Sequence, residues 1–333
     1  MFKKCLPIVL SALLMLSACG PAPQEAAADA PAQEEQTDGL SITATTYPVY
    51  LFTSEVTKEV PDVTVTLMVD QPISCLHDYT LSVNDMKVLE DSDVIVLSGA
   101  GLEATMADAL DSVGDTPQID CSQNVALKEA ASFHHHDDHD GHDAEEAEHE
   151  HEHEGEDAAL SHSDPHIWMD PYRASQMIQT IAQELGTIDP DHAKTYTANA
   201  QAAQTELSQA FTQMKDSLSD LSCREMITFH DGFEYFAEAF DLTILRSIEE
   251  EAGSEASAQE VGHILEEVEA HHLPAIFTEK NGATATADTI HRESGVAVGQ
   301  LSLIMSGDTS APGIASYIQA MQDNVNAIRE AYS

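Results

Sequence analysis

The sequence predicts an α/β protein of two lobes, each a mainly parallel sheet flanked by helices, joined by one long connecting helix. Three observations carry this prediction. Short β-branched runs alternate with helical periodicity from about residue 40 to the C-terminus, the pattern of a parallel sheet covered by helices. The alternation stops in the middle of the chain and then resumes. Between the two series lies a stretch from Asp191 to Asp220 without Gly or Pro, long enough for a helix of about 45 Å.

Each element has its own signal. Ser41–Thr45 is a short strand candidate, followed by helical spacing over Tyr47–Val60. Val63–Val69 alternates β-branched and apolar residues, a strand signature. Ser82 is placed to cap a helix over Val83–Glu90, with Asp85 in its first turn. Ser92–Leu97 reads as a buried strand and Gln118–Asp120 as the strand closing this half. Asp170-Pro171 leads into a helix over Tyr172–Leu185, and Asp189-Pro190 is expected to restart one, as N-cap and N1.

The second series reads Met226–Phe229 strand, Phe233–Phe240 helix, Leu242–Leu245 strand and Ser257–His271 helix. Pro274–Phe277 strand, Thr284–Ser294 helix, Val296–Leu303 strand and Ile314–Tyr332 helix complete it. The expected domains are an N-terminal lobe over 40–171, a helical connector over 172–220 and a C-terminal lobe over 221–333.

The first 39 residues are of another kind. Lys3 and Lys4 precede an apolar stretch over Leu6–Ala18, too short for an ordinary membrane-spanning helix. Leu16-Ser17-Ala18-Cys19 is similar to a bacterial lipoprotein signal, which implies a signal peptide over 1–18 and lipidation at Cys19. The Ala, Pro, Gln and Glu of 19–39 cannot bury a core and read as a flexible tether. The expected protein is therefore extracytoplasmic and attached to the membrane by its lipid alone.

Composition narrows the partners. The chain has 333 residues and a formal charge of −46. Loss of Lys3 and Lys4 takes its 13 basic residues to 11, against 59 acidic. That balance argues against nucleic acid or anionic lipid and favours cations. Cys75, Cys121 and Cys223 leave one thiol over from any disulfide, and no CxxC spacing suggests a thiolate metal site.

Between the two series, 133–162 is too polar for a core and reads as an unstructured loop. It holds His134, His135, His136, His139, His142, His149, His151, His153 and His162 among Asp and Glu. Three further histidines fall at or beside predicted strand ends, where open α/β sheets gather ligands. His77 lies in Cys75-Leu76-His77-Asp78-Tyr79, His166 in Asp164-Pro165-His166-Ile167-Trp168-Met169-Asp170-Pro171, and His230 in Phe229-His230-Asp231-Gly232. Imidazole suits Zn²⁺, and Asp78, Asp164, Asp170 and Asp231 are candidates to fix its tautomer. The spacing matches no short zinc motif.

Thr45-Thr46-Tyr47-Pro48, the segments around His77 and His166, and Thr228–Phe236 occur in an order that resembles the zinc-uptake, solute-binding lipoproteins of bacterial ABC transporters. That resemblance implies His77, His166 and His230 as ligands in a cleft between lobes. It also implies delivery of Zn²⁺ to an ABC permease, by a monomer. Histidine at the third position resembles the zinc branch, whereas manganese relatives carry a carboxylate there, so Zn²⁺ is expected over Mn²⁺. The fourth position stays open among Glu279, Ser302, Asp78, Asp231, water and a loop histidine.

A preformed cleft avoids the ordering entropy that a flexible loop must lose. The loop histidines are therefore expected to be a lower-affinity collector. Three alternatives stand beside the leading one: a manganese- or iron-binding homologue, a metal-dependent adhesin, and a zinc-dependent hydrolase with Glu279 as its acid or base. The leading expectation needs no chemical step, only reversible ligation.

Overall fold

The computed structural model describes residues 39–73, 76, 79–128, 163–248 and 256–333. The expected signal, tether and Cys19, the loop histidines His134–His162, and Cys75, His77 and Asp78 lie outside them.

The described chain forms two parallel four-stranded sheets with the same topology. In the first lobe β1 (Leu40–Ala44), β2 (Val63–Leu67), β3 (Val94–Leu97) and β4 (Gln118–Asp120) lie in the order β2-β1-β3-β4. In the second, β5 (Glu225–Thr228), β6 (Thr243–Ser247), β7 (Ala275–Glu279) and β8 (Ala297–Leu301) lie in the order β6-β5-β7-β8. Helices α1 (Tyr47–Val56), α2 (Val83–Glu90) and α3 (Ala107–Ser112) belong to the first series. Then come α4 (Pro171–Ile188) and the long α5 (Ala193–Ser217). The second series adds α6 (Glu234–Ala239), α7 (Ala258–His271), α8 (Ala285–Ser294) and α9 (Ile314–Ala331).

In each sheet the direction of chain progression reverses between the first and third strands. Ligands of open α/β sheets settle outside the carboxyl ends at such a reversal. Thr45-Thr46 and Ser98-Gly99 occupy that place in the first lobe. In the second it is occupied by His230, just beyond β5, and by Glu279, the last residue of β7.

Local chemistry sets the helix ends. Ser82 and Ser257 each form a complete capping box, with Asp85 and Glu260 respectively. Gly295 ends α8 at φ 77, in the left-handed region open to glycine. The junction between α4 and α5 differs from the sequence expectation: Asp189 closes α4, and α5 starts from His192. The Asp189 carboxylate is occupied by the His192 ring at 2.7 Å and by the Tyr196 hydroxyl at 2.7 Å, which removes it from a capping role. The resulting helix has 25 residues and spans about 37 Å. Its buried stripe is Tyr196, Ala200, Ala203, Leu207 and Met214, at helical spacing. α3 and the 3-10 turns Ala104–Met106 and Ile167–Met169 had no strong periodic signal, being at most six residues long.

Polar bonds between distant parts of the chain hold the segment before α4 and the C-terminal region together. The Trp168 indole donates to the Leu303 carbonyl at 2.8 Å, and the Tyr317 hydroxyl donates to the Trp168 carbonyl at 2.5 Å. Glu55 on α1 accepts from the Ile314 amide at the start of α9. Trp168, Phe52 and Tyr317 all sit in the main core. Cys121 is buried, Cys223 half-buried, and the two are not joined to each other.

Candidate metal site

Asp164 makes the first fixed point. Its Oδ1 accepts the His166 amide at 2.9 Å and faces the His166 Nδ1 at 2.8 Å. A carboxylate can only accept, so Nδ1 is the donor, and in the neutral ring Nε2 carries the lone pair. Both residues are buried, His166 to 2% exposure and Asp164 to 4%. Pro165 and the following 3-10 turn leave the ring little freedom.

The turn after β5 supplies the other side. His230 follows β5 after Phe229, and its carbonyl accepts the Thr228 hydroxyl at 2.9 Å. The His166 and His230 rings meet edge to face, 5.3 Å between centroids. Gly232 makes that approach feasible: a Cβ there would stand 2.8 Å from His166 Cδ2 and 2.9 Å from its Nε2.

Carboxylates frame His230. Glu279 Oε2 lies 3.8 Å from its Nδ1, and Asp231 Oδ1 lies 3.5 Å from its Nε2. Burial pushes the Glu279 carboxyl up to about 8, and the nearby Asp231 charge adds to the rise. Such a group holds a proton until something positive replaces it. The arrangement thus offers two imidazoles and a buried carboxyl in one place, donors that suit a borderline divalent cation.

Of the residues expected from sequence, His166, His230, Glu279 and Asp231 come together. Among the described residues no group of three or more His, Cys, Asp or Glu already has metal-holding geometry. Ser302 is engaged by Asn324 and Ile304. Its hydroxyl accepts the Ile304 amide at 3.0 Å, and it lines a cavity of about 710 Å³ with Tyr47, Lys280, Asp308 and Asn324. Neither His166 nor His230 lines that cavity.

Two contributors escaped the sequence reading. Gly232 had only its place after His230-Asp231 as a clue. Tyr235 on α6, whose hydroxyl donates to the Asp164 carbonyl at 3.1 Å, had only its place in the Thr228–Phe236 segment.

The chain is a two-lobed α/β protein in which two histidines and a buried carboxyl meet beside the carboxyl ends of β5 and β7. Residues 42–331 match the family model ZnuA, "Zinc-uptake complex component A periplasmic", and the chain belongs to that family. It is 26% identical over 304 residues to the zinc-binding lipoprotein AdcA of Streptococcus pneumoniae, a match covering 89% of this chain and 57% of AdcA. The chain thus spans little more than half the length of that relative. It is 25% identical over 337 residues to the high-affinity zinc uptake system protein ZnuA of Bacillus subtilis, covering 99% and 98% of the two chains. Among solved structures, a crystal structure of ZnuA superposes with a TM-score of 0.71 at 24% identity, over 89% of this chain and all of that one. A zinc-bound ZnuA lacking its residues 138–173 gives 0.68 at 26%, over 87% and 98%. Among the described residues no helix is long and apolar enough to cross a membrane.

Proposed function

We propose that this chain binds extracytoplasmic Zn²⁺ and delivers it to an ABC permease, with His166 and His230 as ligands. His77 is the third ligand of this reading, carried by the family resemblance. The observation that supports it most is the His166–His230 pair, with Asp164 holding one imidazole in the metal-ready tautomer. Glu279 is the carboxylate best placed to complete the set or to orient His230. Histidine at the third position, His230, where manganese relatives carry a carboxylate, favours Zn²⁺ over Mn²⁺. The zinc-binding names of AdcA and ZnuA relatives agree with this choice.

The rest of the reading follows the sequence. Residues 1–18 direct export, Cys19 carries the lipid, 19–39 tether the protein, and the histidines of 133–162 collect metal at lower affinity. The protein acts as a monomer and performs no chemistry on its cargo.

Isothermal titration with Zn²⁺ and Mn²⁺ in competition, on wild type and on His77→Ala, His166→Ala and His230→Ala, tests the assignment. One tight Zn²⁺ per chain, lost in each variant, is expected. Metal-dependent esterase or peptidase turnover by the purified protein would overturn the transport reading in favour of the hydrolase.

A further inference from the structure

The Tyr235 hydroxyl sits between two backbone groups far apart in sequence. It accepts the Lys128 amide at 2.8 Å and donates to the Asp164 carbonyl at 3.1 Å. The Asp164 amide in turn donates to the Lys128 carbonyl at 3.0 Å, so three residues close a small ring of hydrogen bonds, half-buried at Lys128. Asp164 is the residue whose carboxylate holds His166. Tyr235 lies only five residues after His230, at the start of α6. One segment therefore carries one imidazole of the site and grips the support of the other.

Cations reinforce the grip. The Arg173 guanidinium stacks on the Tyr235 ring, 4.6 Å from its centroid. It also donates to the Asp170 carboxylate at 2.5 Å and to the Ala126 carbonyl at 3.1 Å, and lies 3.3 Å from Glu238 on α6. Lys128 Nζ reaches Glu238 at 3.4 Å and Glu234 at 3.9 Å. Two of the chain's 13 basic residues are spent on this corner. The Tyr235 side chain is fully buried, so its hydroxyl has no water to fall back on.

We propose that Tyr235 is a positioning residue for the metal site: through the Asp164 backbone it sets where His166 stands relative to His230. This inference rests on the zinc reading above, and goes beyond it by naming a residue that touches no metal. A hydrogen bond that holds a ligand's support acts on affinity and on ligand geometry together. Removing only the hydroxyl should let Asp164 shift while leaving the core packing of the ring intact.

The test compares Tyr235→Phe with Tyr332→Phe. Tyr332 is also a buried tyrosine, and its hydroxyl donates to the Glu225 carbonyl at 2.6 Å, at the opposite end of β5 from His230. Zn²⁺ affinity is measured by competition titration, and the ligand field by the visible spectrum of the Co²⁺-loaded protein. Tyr235→Phe is expected to weaken Zn²⁺ binding about three- to tenfold and to alter the Co²⁺ bands. Tyr332→Phe is expected to lower thermal stability without moving either. Unchanged affinity and bands in Tyr235→Phe, or equal changes in both variants, would overturn the positioning role. His166→Ala serves as the reference: if it binds Zn²⁺ as wild type does, the underlying site assignment fails, whatever Tyr235→Phe does.

Discussion

Gly232 lies flat against the His166 ring, so close that a β-carbon would come within 2.8 Å of Cδ2. Its backbone does not need glycine's left-handed freedom; only space does. His166 cannot turn away, because Asp164 holds Nδ1 at 2.8 Å and the ring is buried. Gly232→Ala should therefore separate His166 from the β5–α6 turn and cost about 1–3 kcal/mol in stability by overpacking. Zinc affinity should fall by about tenfold or more, as when the support of a metal ligand is lost. Chemical denaturation of the metal-free protein and zinc titration check the two halves. Affinity equal to wild type would show that this contact does not set the ligand position.

Glu279 gives a pH prediction whose sign is fixed by burial. Its carboxyl is raised from 4.5 to about 8 in the folded protein, by burial first and the Asp231 charge second. The folded state thus binds the proton more tightly than the unfolded state. Its stabilising share is fully present below about pH 4.5 and is lost as pH rises through about 8. Glu279→Gln, which cannot ionise, should make the metal-free protein more stable than wild type at pH 8 to 9. That advantage should vanish near pH 4.5, where the wild-type carboxyl is neutral as well. Denaturant melts of both proteins across this range, without metal, make the comparison. A difference independent of pH would mean that Glu279 does not titrate in this way.

How much of this was legible beforehand depends on the range of the interaction. Ser82 with Asp85 and Ser257 with Glu260 act within three residues, and their helices begin where sequence places them. The alternation of β-branched runs and helices gives the two parallel sheets, because period and segment length are local properties. Asp189 misled for the same reason: its local pattern is that of an N-cap, but the Tyr196 hydroxyl and the His192 ring occupy the carboxylate. His166 and His230 could be singled out as strand-end histidines, yet their 5.3 Å approach depends on contacts 66 residues apart in the chain. Ser302 was one of several choices for the fourth position; its hydroxyl takes the Ile304 amide beside a cavity lined by Tyr47 and Lys280, contacts that depend on distant parts of the chain.

The two classes of histidine should separate under deletion. Removing Phe133–Leu160 should leave one tight zinc per chain and lower only the total capacity. Replacing His77, His166 and His230 together by Ala should abolish the tight site while weaker binding persists. Both populations should weaken below about pH 6, since imidazole ligates only when neutral and ordinarily titrates near about 6.5. Calorimetric stoichiometry at pH 7.5 and 5.5 reads all three effects. Loss of the tight site on deletion would instead assign its fourth ligand to a loop histidine.

Trp168 offers an internal reporter of which site is filled. It is the single tryptophan of the chain, is fully buried, and its ring centroid lies 5.4 Å from that of His166. A divalent charge placed on His166 acts on the indole at short range through a poorly screening interior. Its emission should change in proportion to the first equivalent of Zn²⁺ and then stay flat while weaker sites take up more. His166→Ala should remove that change, because the ion is no longer held beside the ring. His166→Ala would also test the neighbour's packing, so the emission of the metal-free variant provides the baseline. Emission that kept changing through several equivalents, or that survived in His166→Ala, would place the tight ion away from Trp168.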